Sequence, residues 1–308
     1  MLPDISHYFP ITDPTLIFFV VLCIILFAPM IMAKLRIPHI IGMVLAGILV
    51  GKFGLNILER DSSFELFGKV GVLYIMFLAG LEMNLKDINN KRLQFLIFGL
   101  LTFLIPFIIA YFTGIWLLGY SPMASILLAC ILSSNTLIAY PIVCKYGLQK
   151  HPSVMLSVGS SMIALTLSLL VVAAIVGIGA GDNNITFWVL FISKVIAFCV
   201  GSAIIIPRIT RWFFRHYSDA VMLYIYVMGI LFLSAAASEI CGLEGIFGAF
   251  VAGLIMNRFI PSVSPLMNRI EFIGNAIFIP YFLIGVGMLI DLSVLFHGVS
   301  TLWVVFCM

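Results

Sequence analysis

Ten long apolar runs constrain this sequence more than any other feature. A helix needs about 20 consecutive apolar residues to cross the hydrocarbon core of a bilayer. The chain is 63% hydrophobic and 9% charged, whereas a soluble domain carries about a quarter charged residues. Water cannot accommodate so much apolar surface, so we predict an all-α polytopic membrane protein whose solvent is the lipid bilayer. The runs are 14–33, 38–57, 64–83, 92–118, 123–146, 153–179, 186–207, 219–239, 243–257 and 269–290.

The last residues of the sequence, TLWVVFCM, have the composition of a helix that has only begun. This eleventh run starts near 299 and is cut off at Met308. We therefore expect the chain to be a fragment, or a truncated reading frame, of a longer protein. Residues 1–308 are interpreted as one partial transmembrane domain, with ten complete spans and the start of another.

The loops between these runs differ in positive charge. With the N-terminus placed outside, the loops of one side carry twelve cations, whereas the other side carries three, which Glu59, Asp61 and Glu65 dilute. Positively charged loops stay in the cytoplasm, so this asymmetry predicts a multi-pass protein with its N-terminus outside. The twelve are Lys34, Arg36, Lys86, Lys91, Arg92, Lys145, Lys150, Arg208, Arg211, Arg215, Arg258 and Arg269, and the three are Lys52, Arg60 and Lys69.

The sequence lacks the motifs of soluble enzymes. It has no glycine-rich phosphate loop, no zinc-binding pattern and no arrangement of nucleophile and base. The six cysteines lie in or beside apolar runs without a CxxC pair, and the five histidines fall in loops or at helix ends. We expect neither an enzyme nor a resident cofactor, and no nucleic-acid partner; whether a metal binds is left open.

The fifth run, ACILSSNTLIAYPIVCKYG at 129–147, carries four consecutive polar residues in the middle of a span. In lipid, backbone groups freed by a break must find partners in protein or in a water-filled cavity. Secondary transporters place such broken helices at the bilayer midplane, where loose carbonyls meet ions. The pattern therefore favours a broken-helix ion site over a simple proline kink. The residues are Ser133, Ser134, Asn135 and Thr136, with Tyr140 closing the segment and Pro141 following it.

Four phrases, in this order, carry a family resemblance over nearly the whole chain: RIPHIIGMVLAGILVG, VGVLYIMFLAGLEMNL, GIFGAFVAGLIMNR and YFLIGVGMLID. Together they resemble the membrane domain of monovalent cation:proton antiporters, in the branch of bacterial sodium–proton exchangers and potassium-efflux systems. The resemblance implies a bundle of about thirteen helices built from inverted repeats, a homodimer in the cell inner membrane, and two broken helices crossing at the ion site. The fifth run matches the first of these, and the second would lie beyond Met308.

The resemblance also implies an aspartate in the sixth run, and this chain has none. Such a carboxylate holds either a proton or a cation, so competition for one site couples the two fluxes. Aligned through VGSSMIALTLSLLV, the polar neighbour falls on Ala164 and the acidic position that follows it falls on Leu165, and neither residue titrates. No acid occurs anywhere in 153–181.

Three explanations remain open for the missing aspartate. Another acid carries the protons; or cations pass without proton coupling, using the broken helix with Thr166 and Ser168; or the chain is a non-transporting regulatory or degenerate paralogue. The expected function is antiport of Na+ or K+ against protons, the cation being undetermined. The candidate acids are Glu82, Glu239, Glu244, Glu271 and Asp291, all expected near helix ends.

Overall fold

The structure, a computed structural model, describes residues 10–11, 13–83, 92–133, 140, 143, 146–148, 151–179, 185–261 and 263–291. These residues form eleven helices with two π-helical turns. The helices are α1 (Pro14–Lys34), α2 (His39–Val50), α3 (Ser62–Glu82), α4 (Arg92–Phe112), α5 (Pro122–Ser133), α6 (Pro152–Gly179), α7 (Ile185–His216), α8 (Ala220–Ile240), α9 (Gly245–Met256), α10 (Pro265–Ile273) and α11 (Ile279–Met288). The π turns are Thr113–Leu117, which extends α4, and Gly274–Phe278, which joins α10 to α11.

Seven of the spans are long and apolar enough to cross a membrane, and α2, α5 and α9 are shorter apolar helices. Each predicted run coincides with a helix, although the eleventh run lies outside the described residues. The second run was expected to continue to 57 but α2 ends at Val50. The reason is a turn at Gly51, in which backbone N–H groups of Leu55 and Ile57 donate to the carbonyls of Leu49 and Val50.

The seventh run continues farther than predicted. It was expected to end at 207, yet α7 passes through Pro207 and extends to His216. Proline costs a helix one hydrogen bond, and transmembrane helices tolerate this when neighbours hold the chain. Here the neighbour is α8: the ring of Phe213 stacks on Tyr226 at 4.2 Å, and the Thr210 hydroxyl lies 2.9 Å from the Tyr226 hydroxyl. Three arginines predicted in a loop are therefore helical.

The chain divides into two compact units. Unit 1 contains the described residues up to Ile75 together with those from Asn268, and unit 2 contains Met76–Met267. Within unit 1, α2 and α11 approach so closely that a Cβ on Gly47 would lie 2.2 Å from the Ile284 carbonyl oxygen. An aromatic cluster joins α1, α3, the second π turn and α11. At its edge Tyr74 stacks on Phe278 at 5.4 Å, and its hydroxyl donates to the Ile270 carbonyl of α10 at 2.7 Å. Small residues at helix crossings and satisfied hydroxyls are typical of packing in lipid.

Unit 2 holds the end of α3, from Met76, and helices α4 to α9. At one close crossing α3 meets α9: a Cβ on Gly253 would lie 2.2 Å from the Phe77 carbonyl oxygen, and one on Gly80 would lie 2.4 Å from that of Phe250. Helix α6 packs on α4 and α5. At one such contact a Cβ on Gly159 would lie 2.6 Å from the Phe95 ring. These contacts fix the end of α3 beside α9 and the middle of α6 beside the end of α5.

Candidate functional site

The C-terminal end of α5 is held by hydroxyl groups. The described part of α5 extends to Ser133. Near this end the Cys130 carbonyl accepts two hydrogen bonds from side chains, from the Ser133 hydroxyl at 3.2 Å and from the Ser168 hydroxyl at 2.9 Å. Both serines are buried. The structure therefore brings two of the predicted site residues, from α5 and α6, to one backbone oxygen.

The polar run that follows is described only in part. Ser134, Asn135, Thr136 and Pro141 lie outside the described residues, so the break itself remains a prediction. Tyr140 is described and is buried, with 5% of its surface exposed. Its hydroxyl donates to the Glu82 carboxylate at 2.5 Å. A residue of the predicted broken segment is thus joined directly to an acid at the end of α3.

Helix α6 is apolar at the position where the family resemblance implies an acid. Ala164 is fully buried and Leu165 is 3% exposed. The Thr166 hydroxyl donates to the Met162 carbonyl of its own helix at 2.8 Å, so it serves α6 and does not join it to α5. Two further buried serines, Ser160 and Ser161, donate to the Ser157 carbonyl. The polar side chains of α6 are hydroxyls alone, which do not titrate near neutral pH.

Glu82 is the final residue of α3, as expected, and its side chain is half-buried. Beside it, the Asn257 side chain, just after α9, donates to the Leu81 carbonyl. The sequence did not identify Asn257 as a site residue. The one signal for it is its position directly after the apolar run GAFVAGLIM. The bond secures the last turn of α3 and so limits where the Glu82 carboxylate can move.

The other candidate acids lie elsewhere. Glu239 is exposed in the last turn of α8, and Asp291 follows α11. Glu244 precedes α9 and remains exposed, although partial desolvation raises the pKa of its carboxyl. Glu271, expected at a helix start, lies in the second turn of α10, because α10 begins at Pro265. Within the described part of unit 2, Glu82 is the one carboxylate whose side chain is not exposed.

We predict that Ser168→Ala lowers the stability of the protein by about 0.5–1 kcal/mol, because one of the two bonds to the Cys130 carbonyl is lost. The measurement is the denaturation midpoint of purified protein in detergent. Ser157→Ala is the matched control, since the Ser157 hydroxyl is exposed and donates only to the Ser153 carbonyl of its own helix. Equal midpoints for the two variants would show that the link between α5 and α6 contributes nothing.

Comparison with known proteins identifies the family to which this architecture belongs. The family model described as sodium/hydrogen exchanger, transmembrane, matches residues 19–308. The Na(+)/H(+) antiporter NhaS5 of Synechocystis sp. is 34% identical over 95% of this chain, and the chain spans 42% of that protein. The probable Na(+)/H(+) antiporter 3 of Methanocaldococcus jannaschii is 28% identical over 91% of this chain and 73% of its own length.

A solved structure shares the fold. The sodium proton antiporter MjNhaP1 from Methanocaldococcus jannaschii superposes with a TM-score of 0.67 and 18% identity, over 92% of this chain and 71% of that one. The prediction of an all-α, multi-pass helix bundle of the antiporter type is confirmed. The chain belongs to the sodium/hydrogen exchanger family.

Proposed function

We propose that this protein exchanges a monovalent cation, Na+ or K+, for protons across the cell inner membrane. The observation that carries the proposal is the hydrogen bond between Tyr140 and Glu82, which brings a protein carboxylate to the predicted broken helix. Family membership supports the class of activity. The chain spans less than half of its Synechocystis relative, so the activity of the whole protein is itself part of the proposal.

Glu82 is the group that titrates in this proposal. An exchanger needs a site that holds a proton or a cation but not both, and a carboxylate screened from bulk water meets this need. Ala164 and Leu165 cannot supply it, and the described part of α6 contains no acid. The half-buried Glu82 satisfies the requirement with a hydrogen-bond partner in the segment that is expected to contact the ion.

Hydroxyl and carbonyl oxygens complete the cation site. A serine hydroxyl that donates its hydrogen keeps two lone pairs for a cation, and this applies to Ser133 and Ser168. Thr166 has the same capacity on α6. We propose that these three act with Ser134, Asn135, Thr136, Tyr140 and Pro141, in which the proline frees backbone carbonyls. Oxygen ligands of this kind suit sodium and potassium alike.

The remaining parts of the proposal concern the orientation of the chain in the membrane and its association into a dimer. The twelve-to-three distribution of cations supports an outside N-terminus. A homodimer is proposed from the family resemblance alone. Exposed leucine, isoleucine and phenylalanine side chains along α1, α4 and α7 supply the surface that lipid or a second copy would cover.

The test is proton movement driven by sodium or potassium gradients in proteoliposomes, measured from about pH 6 to about pH 9, the range in which a tuned carboxylate titrates. We expect a cation-dependent signal that is lost at one end of this range. Cation flux without proton movement would instead support an uncoupled pathway, which the buried, apolar Ala164 and Leu165 favour. If folded, inserted protein moved neither protons nor cations, the non-transporting alternative would be supported.

A further inference from the structure

The C-terminal end of α7 has two opposite faces. Ile206 and Thr210 are buried, and Phe213 stacks on Tyr226 of α8 at 4.2 Å. At 100° per residue, these three positions share one side of the helix. The side chains at 208, 211 and 215 fall within about 60° of one another on the far side. Arg208, Arg211 and Arg215 therefore form one exposed stripe, which we call the arginine stripe.

The arginine stripe continues a surface that faces lipid. Directly before it on α7, Ile204 and Ile205 are 45% and 54% exposed, and Trp212 stands within the stripe at 55% exposed. The apolar side chains belong to a helix long enough to cross a membrane. Tryptophan is enriched where hydrocarbon meets headgroups. This pattern favours a position of the three guanidinium groups at the headgroup level, where lipid phosphates lie.

The three charges have no carboxylate partner within the described part of the chain. The ion pair between Arg60 and Glu65 lies in unit 1. The nearest acid in sequence, Asp219, accepts from the Met222 N–H as the N-cap of α8. Arg208 donates to the Ile204 carbonyl at 3.0 Å, which uses one of the five N–H donors of a guanidinium. The stripe therefore presents a row of unused charged donors.

We infer that the arginine stripe of α7 binds the phosphate groups of anionic phospholipids. Arginine pairs with phosphate through two parallel hydrogen bonds, and each cation near an anionic bilayer surface strengthens association. The packing of Thr210 and Phe213 on α8 holds the stripe in place before lipid arrives. The adjoining isoleucines and Trp212 select a lipid over a soluble phosphate, because they offer a surface for acyl chains. This inference does not depend on ion transport.

The test compares lipid binding to the purified full chain and to variants in non-ionic detergent. The probes are dioleoyl phosphatidylglycerol and dioleoyl phosphatidylcholine, with bound lipid counted by native mass spectrometry during titration. We expect the triple variant Arg208→Gln, Arg211→Gln, Arg215→Gln to bind phosphatidylglycerol about a hundredfold more weakly, roughly fivefold for each arginine. Phosphatidylcholine binding is expected to stay unchanged.

Two further variants make the result specific. The triple exchange of Arg208, Arg211 and Arg215 to lysine keeps the charge but removes the paired geometry, so we expect an intermediate affinity. The exchange of Lys34, Lys52 and Lys194, all exposed, to glutamine removes the same charge elsewhere and should leave binding unchanged. Equal phosphatidylglycerol binding by the glutamine triple and the wild type would overturn the inference. So would a loss of dimers without a loss of lipid, since the stripe would then be a contact between copies.

Discussion

Replacing Glu82 by glutamine is expected to abolish cation-driven proton movement while leaving the protein folded. Glutamine keeps the size of the side chain and can still accept from the Tyr140 hydroxyl, but it neither titrates nor carries a charge. No other carboxylate in the described part of unit 2 is sheltered from water, so none of those described can replace it. The measurement is initial proton flux in proteoliposomes, for which we expect a fall of at least about a hundredfold.

Two companion variants separate the role of Glu82 from a general loss of function. Tyr140→Phe removes one hydrogen bond to a charged group, worth about 1.5–3 kcal/mol, so flux should fall about tenfold or more without vanishing. Glu65→Gln removes an exposed carboxylate of unit 1, whose surface ion pair with Arg60 contributes little, and should leave flux unchanged. If Glu82→Gln transports as well as the wild type, the proton carrier is another group even though antiport itself stands.

Introducing an acid into α6 also tests whether a carboxylate at this site carries the protons. Leu165 is buried at the position where the family resemblance implies a carboxylate. We expect Leu165→Asp, combined with Glu82→Gln, to recover part of the lost flux, because a buried carboxylate on α6 can exchange a proton for a cation. Leu165→Asn in the same background is the uncharged control. Recovery by both variants alike would show that polarity rather than titration restores flux.

Gly253→Ala is expected to destabilise the protein, although it adds a single methyl group. The new Cβ would lie 2.2 Å from the Phe77 carbonyl oxygen and 3.1 Å from the Leu81 N, both backbone atoms that cannot rotate away. Helices α3 and α9 would have to separate, at a cost of about 1–3 kcal/mol or more. The same separation strains the bond from Asn257 to the Leu81 carbonyl and displaces Glu82. We therefore expect both a lower denaturation midpoint and reduced flux.

Gly229→Ala is the matched control for this methyl group. Gly229 lies inside α8, and nothing lies within 4 Å of the position that its Cβ would take. Alanine favours a helix over glycine by about 1 kcal/mol, so this variant should be as stable as the wild type or slightly more so. If Gly253→Ala proved equally harmless, the close approach of α3 and α9 would be wrong.

Part of the candidate site could be predicted from local sequence patterns. The polar run after Cys130 and the acid-free α6 follow from residue types alone, and the prediction that Ser133 and Ser168 belong to one site agrees with their shared partner at the Cys130 carbonyl. Thr166 differs, since its hydroxyl bonds within α6. Sequence spacing does not tell whether a serine on a helix donates to its own backbone or across to a neighbour, because both choices satisfy the same hydroxyl.

Glu82 illustrates what spacing cannot reveal. It was one of five acids expected near helix ends, and nothing in the neighbouring residues distinguished it from Glu239 or Asp291. Its bond to Tyr140 joins residues 58 apart in the chain. Such a contact depends on which helices pack together and at what height, and hydropathy along the chain contains neither quantity.

The sequence by itself determined the class of protein, the number and order of its described spans, the difference in positive charge between alternate loops and the absence of an acid in α6. Each of these properties follows from the residue types along the chain, because a span needs a minimum apolar length and positively charged loops stay in the cytoplasm. Only the tertiary structure decided that Glu82 meets Tyr140, that glycines let α3 and α9 touch, and that α7 continues through Pro207. Each of these depends on a packing partner distant in the chain, which supplies the contacts that a local pattern lacks.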